Sequence, residues 1–232
     1  MSLFVTGTDT GVGKTFAAVR FLQAARAAGL RCAGYKPVCC GDRHDAELLL
    51  ASSSDGLTLD DVNPLWFRTP VAPFTASAIE QKVVDVDRLL EGFANLQKRF
   101  DYVVVEGAGG WLVPLREDLT LGDLALQLGL PIVVIARNRL GMLNHTLLTV
   151  RQISLGGGEC RGVILNHLDE QTDFATTTNG AILRRLLAQP VFDALPSETG
   201  ELSAAWRHAL AFGDEKRRSN DDAHRAKDPQ NG

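Results

Sequence analysis

The amino-acid sequence predicts an α/β fold of three layers, in which helices cover both faces of a mostly parallel sheet. Short apolar runs recur along the 232 residues, and each is followed by a turn and then by a helical pattern. The runs at 102–105 and 132–135 are apolar throughout and rich in β-branched residues, which is typical of strands buried on both faces. Strands that alternate with helices in this way form a parallel sheet through right-handed crossover connections.

The predicted strands are short apolar runs, and each is placed where a turn or a polar residue interrupts the hydrophobic pattern. β-Branched residues are most frequent in the last three of them. In chain order the predicted strands are 3–5, 32–35, 102–105, 132–135 and 163–165. Because parallel strands present their carboxyl ends at one edge of the sheet, the residues that follow each run are candidates for a ligand site.

Helices are predicted after and between these strands. The helix over 13–28 is rich in alanine, leucine and arginine, and Gly29 follows it as a stop signal. The apolar residues of 85–99 recur mostly at steps of three and four. Residues 53–80 contain three of the nine prolines and are predicted to be loops with brief elements. In chain order the predicted helices are 13–28, 45–52, 85–99, 120–128, 144–155, 179–188 and 201–212.

Composition is that of an ordinary globular protein, with 45% hydrophobic and 22% charged residues. A single phosphate-binding α/β catalytic domain is predicted over 1–212, since this length buries a sizeable core. The segment 213–232 has many charges of both signs, no aromatic residue and no aliphatic residue larger than alanine, and is predicted to be a disordered tail. The net charge of −4 gives no basic field, so no nucleic-acid partner is expected.

The cysteines predict a cytoplasmic location. The chain has four of them, none in a Cys-x-x-Cys pair, which indicates reduced thiols rather than a disulfide framework. The adjacent Cys39 and Cys40 are not expected to bind a metal, because neighbouring cysteines rarely point at one ion. The first residues lack the features of a signal peptide, and no apolar run approaches the roughly 18 residues of a membrane span, so no membrane partner is expected.

A glycine-rich turn over 7–15, with the sequence GTDTGVGKT, follows the first predicted strand and opens the first helix. Glycines let backbone N–H groups turn toward a phosphate, and the helix N-terminus adds partial positive charge. Lys14 is expected to reach the β- and γ-phosphates of ATP, and the Thr15 hydroxyl to hold Mg²⁺. The turn has one residue more than the usual phosphate-binding motif, with five residues between Gly7 and Gly13. The alternative to a phosphate site is an ordinary glycine-rich turn that caps a helix. Strand, loop and helix in this order favour the phosphate-loop NTPase type of fold.

Charged residues follow two further strands. Lys36 would be a second cation near the γ-phosphate, where it would stabilise the charge of phosphoryl transfer, although a lone lysine is more often solvated. Glu106 resembles the carboxylate that orients Mg²⁺ at the end of an apolar strand, and the alternative is a turn with a capping side chain. Asp45 is a candidate second carboxylate for the metal, or else a helix N-cap.

Two other segments carry candidate binding groups. Residues 140–145 open a helix whose free N–H groups could bind a carboxylate, unless Asn144 merely caps it. Asn166 follows the strand at 163–165, and its amide suits the edge of a nucleotide base, the alternative being a turn residue. His145 and the three tryptophans are expected to be structural.

Together these motifs resemble those of the ATP-dependent dethiobiotin synthetases. The resemblance covers about residues 3–200 and includes the extra residue in the phosphate loop. It implies an enzyme of biotin biosynthesis, a ligase that forms C–N bonds. Diaminononanoate takes up CO₂ on one amine, the carbamate attacks the γ-phosphate of ATP, and the second amine closes the ureido ring as phosphate leaves. The segments that carry the resemblance are FVTGTDTGVGKT (4–15), AGYKPV (33–38), VVVEGAGGWLVPL (103–115) and LGMLNHTLLT (140–149).

The resemblance also implies roles for individual residues and a homodimer with the substrate near its interface. It implies catalytic roles for Thr10, Lys14 and Lys36, and Mg²⁺ ligands at Thr15, Asp45 and Glu106. For the nucleotide it implies Gly11, Val12, Gly13, Lys14, Thr15, Glu106, Gly107, Ala108, Gly109, Asn166, Leu195, Pro196 and Ser197. For the substrate it implies Cys40, Gly141, Met142, Leu143 and Asn144. Cys40 departs from the serine or threonine common in that family, and a thiol is a weaker donor than a hydroxyl.

Two other functions are compatible with a phosphate loop. One is a related ligase that acts on another small acid. The other is a partitioning-type ATPase that switches with its nucleotide and acts by binding partners, usually through a membrane-targeting helix or a basic face. The charges of residues 213–232 are balanced and not amphipathic, which tells against the switch protein. Lys36 and the glycines after Glu106 favour small-molecule chemistry.

Overall fold

A computed structural model describes residues 2–167 and 173–193 of the chain. Its strands are β1 (Ser2–Gly7), β2 (Cys32–Tyr35), β3 (Val38–Cys40), β4 (Leu65–Phe67), β5 (Tyr102–Glu106), β6 (Pro114–Arg116), β7 (Leu119–Thr120), β8 (Ile132–Arg137), β9 (Cys160–Asn166) and β10 (Val191–Phe192). Its helices are α1 (Lys14–Ala27), α2 (His44–Ser52), α3 (Leu59–Val62), α4 (Pro73–Glu80), α5 (Val86–Arg99), α6 (Leu121–Leu128), α7 (Met142–Leu155) and α8 (Phe174–Leu186).

The central sheet has six strands in the order β10-β9-β8-β1-β5-β2, and every pair in it is parallel. β1 lies in the middle, where Val5 is in register with Val133 on one side and with Glu106 on the other. All five residues of β5 and the first five of β8 are buried. The carboxyl ends of the strands therefore meet at one edge of the sheet.

Side chains from the two faces of the sheet enter two separate hydrophobic clusters, because neighbouring residues of a strand point in opposite directions. Leu3 and Val5 of β1 pack in one cluster with α1 and α2. Phe4 packs in the other, which contains buried residues of α5, α6 and α7. The predicted three-layer α/β fold with a mostly parallel sheet is confirmed.

Local signals explain most helix boundaries. Asp85 accepts a hydrogen bond from the Arg88 N–H and caps α5, and Thr120 forms a capping box with Asp123 at the start of α6. The predicted helices over 85–99 and 120–128 are confirmed to within one residue. None of the helices in the described ranges is long and apolar enough to cross a bilayer.

The structure corrects the sequence prediction at several elements. Residues 53–80 contain α3, β4 and an α4 of eight residues, with Pro73 in its first turn, where a missing N–H costs no helix bond. α8 begins at residue 174 rather than 179, because Asp173 forms a capping box with Thr176. β3, β4, β6, β7 and β10 have two or three residues each, too few for a hydrophobic pattern to show.

Two predicted elements lie outside the described residues. These are the helix over 201–212 and the charged tail over 213–232. The division into a domain over 1–212 and a tail over 213–232 therefore stays a prediction.

Candidate functional site

The loop between β1 and α1 is curled by its glycines. Gly11 and Gly13 have φ values of 69° and 94°, a region that favours glycine, and Gly13 stands at the N-cap position of α1. A Cβ on Gly7 would lie 2.6 Å from Cγ2 of Val12, so that position also requires glycine. The loop thus brings backbone N–H groups and the N-terminus of α1 to one place at the carboxyl edge of the sheet, as phosphate binding requires.

Lys14 is the cation of this loop and is nearly buried. Its Nζ donates a hydrogen bond to the backbone carbonyl of Asp9 at 2.8 Å. Burial and the nearby charge of Lys36 lower the pKa of Lys14 to about 8. Glu106, Asp45 and Asp9 oppose these two effects only in part, and a phosphate beside Lys14 would further stabilise its charged form.

Lys36 is not the solvated lysine that its type alone would indicate. It is only 3% exposed, and its Nζ donates to Oδ2 of Asp45 at 2.9 Å and to Oε1 of Glu106 at 2.6 Å. A third bond of 3.2 Å goes to the carbonyl oxygen of Gly107. Burial alone would lower the pKa of Lys36, but the two carboxylates outweigh it and hold the pKa above its usual value. Lys36 therefore remains positively charged.

Asp45 is not a helix cap. α2 begins at His44 with Arg43 in the N-cap position and without a side-chain cap bond. The Asp45 carboxylate bonds Lys36 instead. Burial would raise the pKa of Asp45, but the charge of Lys36 and its hydrogen bond lower it overall. Asp45 is therefore an ionised carboxylate at the site.

The oxygen atoms around Glu106 fit a magnesium ion. The Thr15 hydroxyl donates to Oε1 of Glu106 at 2.9 Å. Oε2 of Glu106 is buried and has no hydrogen-bond partner among residues 2–167 and 173–193, an arrangement that is costly unless a ligand satisfies it. Two carboxylates and a hydroxyl are hard oxygen ligands, and Mg²⁺ completes such a set with water and phosphate oxygens. Within the described ranges no three His, Cys, Asp or Glu side chains form a metal cluster.

A cavity of about 770 Å³ joins the phosphate loop to these charged groups. The predicted site residues that line it are Thr10, Gly11, Gly13, Lys14, Thr15, Lys36, Cys40, Asp45, Glu106, Ala108 and Gly109. Residues 70–72, between β4 and α4, and Pro73, the first residue of α4, form another part of its wall and were missed by the sequence analysis. Their prolines indicated a loop, but Pro-Val-Ala-Pro has no group whose chemistry would indicate a site.

Three predicted nucleotide contacts lie beside the cavity rather than on its wall. The Val12 side chain is buried in the core, and its carbonyl oxygen accepts a bond of 2.9 Å from Nδ2 of Asn166. Gly107 offers its carbonyl oxygen to Lys36, and a Cβ there would lie 2.7 Å from Cδ2 of Leu121. These residues support the phosphate loop and Lys36. The predicted adenine contact of Asn166 stays a prediction, and Leu195, Pro196 and Ser197 lie outside the described residues.

The predicted carboxylate site at the start of α7 is separate from this cavity. Gly141, with φ of 90°, occupies the N-cap position, so Asn144 does not cap the helix. None of Gly141, Met142, Leu143 and Asn144 lines the cavity of about 770 Å³. A second cavity, of about 500 Å³, lies between the loop after Glu106 and the next turns of α7. His145 and Trp111 are among its lining residues.

Cys40 is half-buried on the wall of the larger cavity. Burial and the neighbouring charge of Glu80 raise its pKa to about 11, and Lys36 opposes them only in part. The thiolate that reacts with alkylating agents is therefore rare at neutral pH. The buried Cys39 has a pKa raised further, to about 12, chiefly by burial.

We expect iodoacetamide to modify Cys40 at least about tenfold more slowly at pH 7.5 than a free cysteine, whose pKa is about 8.5. The rate should rise with pH toward 11, because a raised pKa delays formation of the thiolate. ATP should slow the reaction at Cys40 but not at Cys160, whose pKa is also about 11 and which does not line the cavity. Mass spectrometry of the labelled peptides measures both rates, and fast labelling of Cys40 at pH 7.5 would contradict the expectation.

The chain is similar in sequence to known ATP-dependent enzymes. A family model described as an AAA domain matches residues 1–201. The chain is 38% identical over 194 residues to the ATP-dependent dethiobiotin synthetase BioD of Akkermansia muciniphila, covering 84% of this chain and 91% of that protein. It is 43% identical over 200 residues to the ATP-dependent dethiobiotin synthetase BioD of Anaeromyxobacter dehalogenans, covering 84% and 90%.

Solved structures resemble the fold at low sequence identity. A ParA family ATPase from Chlorobium tepidum has a TM-score of 0.53 at 13% identity, covering 90% of this chain and 89% of that one. MinD in the MinC:MinD cell division complex of Aquifex aeolicus gives 0.51 at 14% identity, covering 100% and 99%. At such identities the likeness shows the phosphate-loop α/β fold and nothing of the activity.

Proposed function

Because the chain belongs to the family of ATP-dependent dethiobiotin synthetases, we propose that its cavity of about 770 Å³ is where ATP, Mg²⁺ and diaminononanoate meet. The protein is an ATP-dependent ligase that forms C–N bonds. The observation that carries the proposal is the position of Lys36, whose ammonium contacts the Asp45 and Glu106 carboxylates on the wall that continues the phosphate loop.

The phosphate loop is proposed to hold the triphosphate of ATP. Its backbone N–H groups and the N-terminus of α1 face the phosphates, and Lys14 supplies a full positive charge. Thr10 lies on the same wall and is proposed to contact the reacting groups. The adenine is proposed to lie near Asn166 and residues 195–197.

Mg²⁺ is proposed to be held by the oxygens of Thr15, Asp45 and Glu106, and when bound it neutralises negative charge on the phosphates. The hydrogen bond from Thr15 to Glu106 keeps two of these oxygens together. Lys36 bonds both carboxylates, so the charged groups are already assembled before substrates arrive.

The reaction begins when one amine of diaminononanoate takes up CO₂ and loses a proton, giving a carbamate. A carbamate oxygen attacks the γ-phosphorus of ATP, and ADP leaves. The second amine then attacks the carbonyl carbon of the resulting carbamic–phosphoric anhydride; phosphate leaves, the amine gives up a proton, and the ureido ring is closed. Lys14 and Lys36 are proposed to stabilise the charge that builds up on the phosphoryl oxygens. Ring closure depends on holding the amine against the anhydride, which is proximity catalysis.

The substrate is proposed to extend from Cys40 toward the start of α7. Residues 141–144 do not line the cavity of their own chain, and those of one protomer are proposed to receive the substrate's carboxylate at a homodimer interface. A cytoplasmic location is proposed from the reduced thiols that the four free cysteines imply.

The relatives favour this function over a partitioning-type ATPase. The ParA and MinD structures match at 13–14% identity, whereas the synthetases match at 38–43% over most of both chains. The cluster of buried Lys36 and Glu106 with the half-exposed Asp45 also suits chemistry on a small molecule, because it lines a cavity.

The direct test is incubation of the purified protein with diaminononanoate, bicarbonate, Mg²⁺ and ATP. We expect dethiobiotin and phosphate to appear in equal amounts, measured by mass spectrometry and a phosphate assay. Omission of diaminononanoate should stop most of the phosphate release. If neither product forms, the proposed function is wrong.

Replacing Glu106 with glutamine should raise the Mg²⁺ concentration needed for half-maximal activity, because a neutral amide is a poor ligand for a hard cation. Loss of a residue that only orients a metal ligand weakens metal binding by about 10–100-fold. Loss of a ligand itself should raise the required Mg²⁺ concentration by at least as much. Turnover measured across a Mg²⁺ titration checks this. Glu91→Gln, an exposed change on α5, is the matched control, and an unchanged titration for Glu106→Gln would remove it as a metal ligand.

A further inference from the structure

Beside the cavity, the guanidinium of Arg43 ties the start of α2 to the turn that follows α3. Its Nε donates to Oδ1 of Asn63 at 3.1 Å, and its Nη2 donates to the carbonyl oxygens of Asn63 and Leu59 at 2.9 and 3.1 Å. A further contact with Asp60 involves an exposed carboxylate, so it contributes little. Arg43 itself is largely buried, with 15% of its side chain exposed.

Asn63 carries this connection on to Lys36. Its side chain is buried, and its Nδ2 donates to the carbonyl oxygens of Lys36 at 2.8 Å and of Leu65 at 3.0 Å. The backbone N–H of Lys36 donates to the Val62 carbonyl at 2.8 Å. The backbone N–H and carbonyl of Lys36 are thus both bonded by residues 62–63, and Arg43 bonds the same segment at Asn63.

These hydrogen bonds, with the chain from Arg43 to Asp45, form a closed ring that includes Lys36 and Asp45. The Lys36 backbone is bonded to Asn63, Asn63 to Arg43, and Arg43 is two residues before Asp45 in the chain. The ring closes through the 2.9 Å bond from Nζ of Lys36 to Oδ2 of Asp45. Arg43, the N-cap residue of α2, makes no side-chain cap bond to the helix. The Asp42 carboxylate accepts a bond of 3.1 Å from the His44 N–H, and the Asp45 side chain is 46% exposed. Besides the direct bond between Lys36 and Asp45, the Arg43 side chain ties this helix start, through Asn63, to the backbone of Lys36.

We propose that Arg43 is a positioning residue that places Asp45 in the Mg²⁺ site, with Asn63 as its link to Lys36. The inference rests on the proposed role of Asp45 as a metal ligand. An arginine suits this position because its fork reaches the side-chain and backbone oxygens of Asn63 at once. A lysine offers a single donor atom and cannot reproduce that geometry.

Trp66 supplies a matched control for this test. Arg43 lies over its ring at 5.5 Å and Arg68 lies over the same ring at 5.7 Å. Arg68 is not among the donors to Asn63. Loss of either arginine removes a stacking contact with Trp66, but only loss of Arg43 breaks the ring.

The experiment compares Arg43→Met, Arg43→Lys, Arg68→Met and Asp45→Asn with the unmodified protein. Three quantities are measured for each: turnover across a Mg²⁺ titration at saturating ATP, affinity for Mn²⁺ with ADP present by electron paramagnetic resonance, and the temperature of unfolding. For Arg43→Met we expect the half-saturating Mg²⁺ concentration and the Mn²⁺ dissociation constant to rise about tenfold, as for other groups that orient metal ligands. Arg43→Lys should show a smaller rise, and Arg68→Met none.

Each contrary outcome has a separate meaning. If Asp45→Asn weakens metal binding and Arg43→Met does not, whatever happens to the unfolding temperature, the inference is overturned. If Asp45→Asn leaves both metal measurements unchanged, the proposed role of Asp45 is wrong and the inference falls with it. Should Arg43→Met not fold, Arg43→Lys decides, since it keeps the charge and loses the fork; metal binding equal to that of the unmodified protein would then overturn the inference.

Discussion

Replacing Lys36 with methionine should lower kcat by about 10²-fold or more, the scale typical of losing one group that stabilises transition-state charge. The ammonium of Lys36 is buried and contacts two carboxylates on the cavity wall, so its replacement removes a fixed positive charge from the site. Steady-state turnover at saturating ATP and Mg²⁺ measures the loss. ATP affinity should change far less, because the phosphate loop and Lys14 remain.

Lys98→Met, an exposed change in the last turn of α5, is the control for Lys36→Met and should keep normal turnover. Stability must be followed as well, since loss of one partner from a buried ion pair costs about 3–5 kcal/mol. Assays should therefore run well below the unfolding temperature of the variant. A folded Lys36→Met protein with nearly normal kcat would show that the ammonium has no part in catalysis.

Replacing Lys14 with alanine should weaken ATP binding by about 10–100-fold. A hydrogen bond to a charged group is worth about 1.5–3 kcal/mol, and each 1.4 kcal/mol changes a dissociation constant tenfold. Lys14 lies over the curled loop and bonds only a carbonyl of that loop among the contacts described, so its charge is available to a phosphate. Isothermal titration calorimetry with ATP measures the effect.

AMP distinguishes this role of Lys14 from general damage to the loop. Because Lys14 is proposed to reach the β- and γ-phosphates, AMP affinity should fall much less than ATP affinity in Lys14→Ala. Equal losses for the two nucleotides would indicate that the loop itself has collapsed. Unaltered ATP affinity would argue against nucleotide binding at this loop.

The Lys36 and Lys14 variants separate two functions of the same cavity. Lys14 belongs to the loop and should act mainly on binding, whereas Lys36 comes from the end of β2 and should act mainly on turnover. Their side chains are close enough for each charge to affect the other, since Lys36 contributes to the lowered pKa of Lys14. The double variant should therefore deviate from the product of the two single effects.

The parts of the fold that could be predicted are those with strong local signals. β5 and β8 are continuous apolar runs, α5 has a clear helical period, and the phosphate loop combines glycines with Gly-Lys-Thr. Very short strands such as β10 have no such signal, because two residues are too few for a period. α4 was missed because the three prolines of residues 53–80 indicate loops, although Pro73 fits the first turn of a helix.

The site divides along the same line. The sequence alone determined which residue types follow the strands. It therefore predicted a phosphate and a metal as ligands, with Lys36 as a second cation beside them. Tertiary structure decided that Lys36 is buried: β2 and β5 are parallel with Tyr35 in register with Val105, which puts Lys36 beside Glu106. It also decided the contacts of Arg43 with Asn63, 20 residues further along the chain. Such pairs are set by strand register and by packing of distant segments, and no local pattern of side chains encodes them.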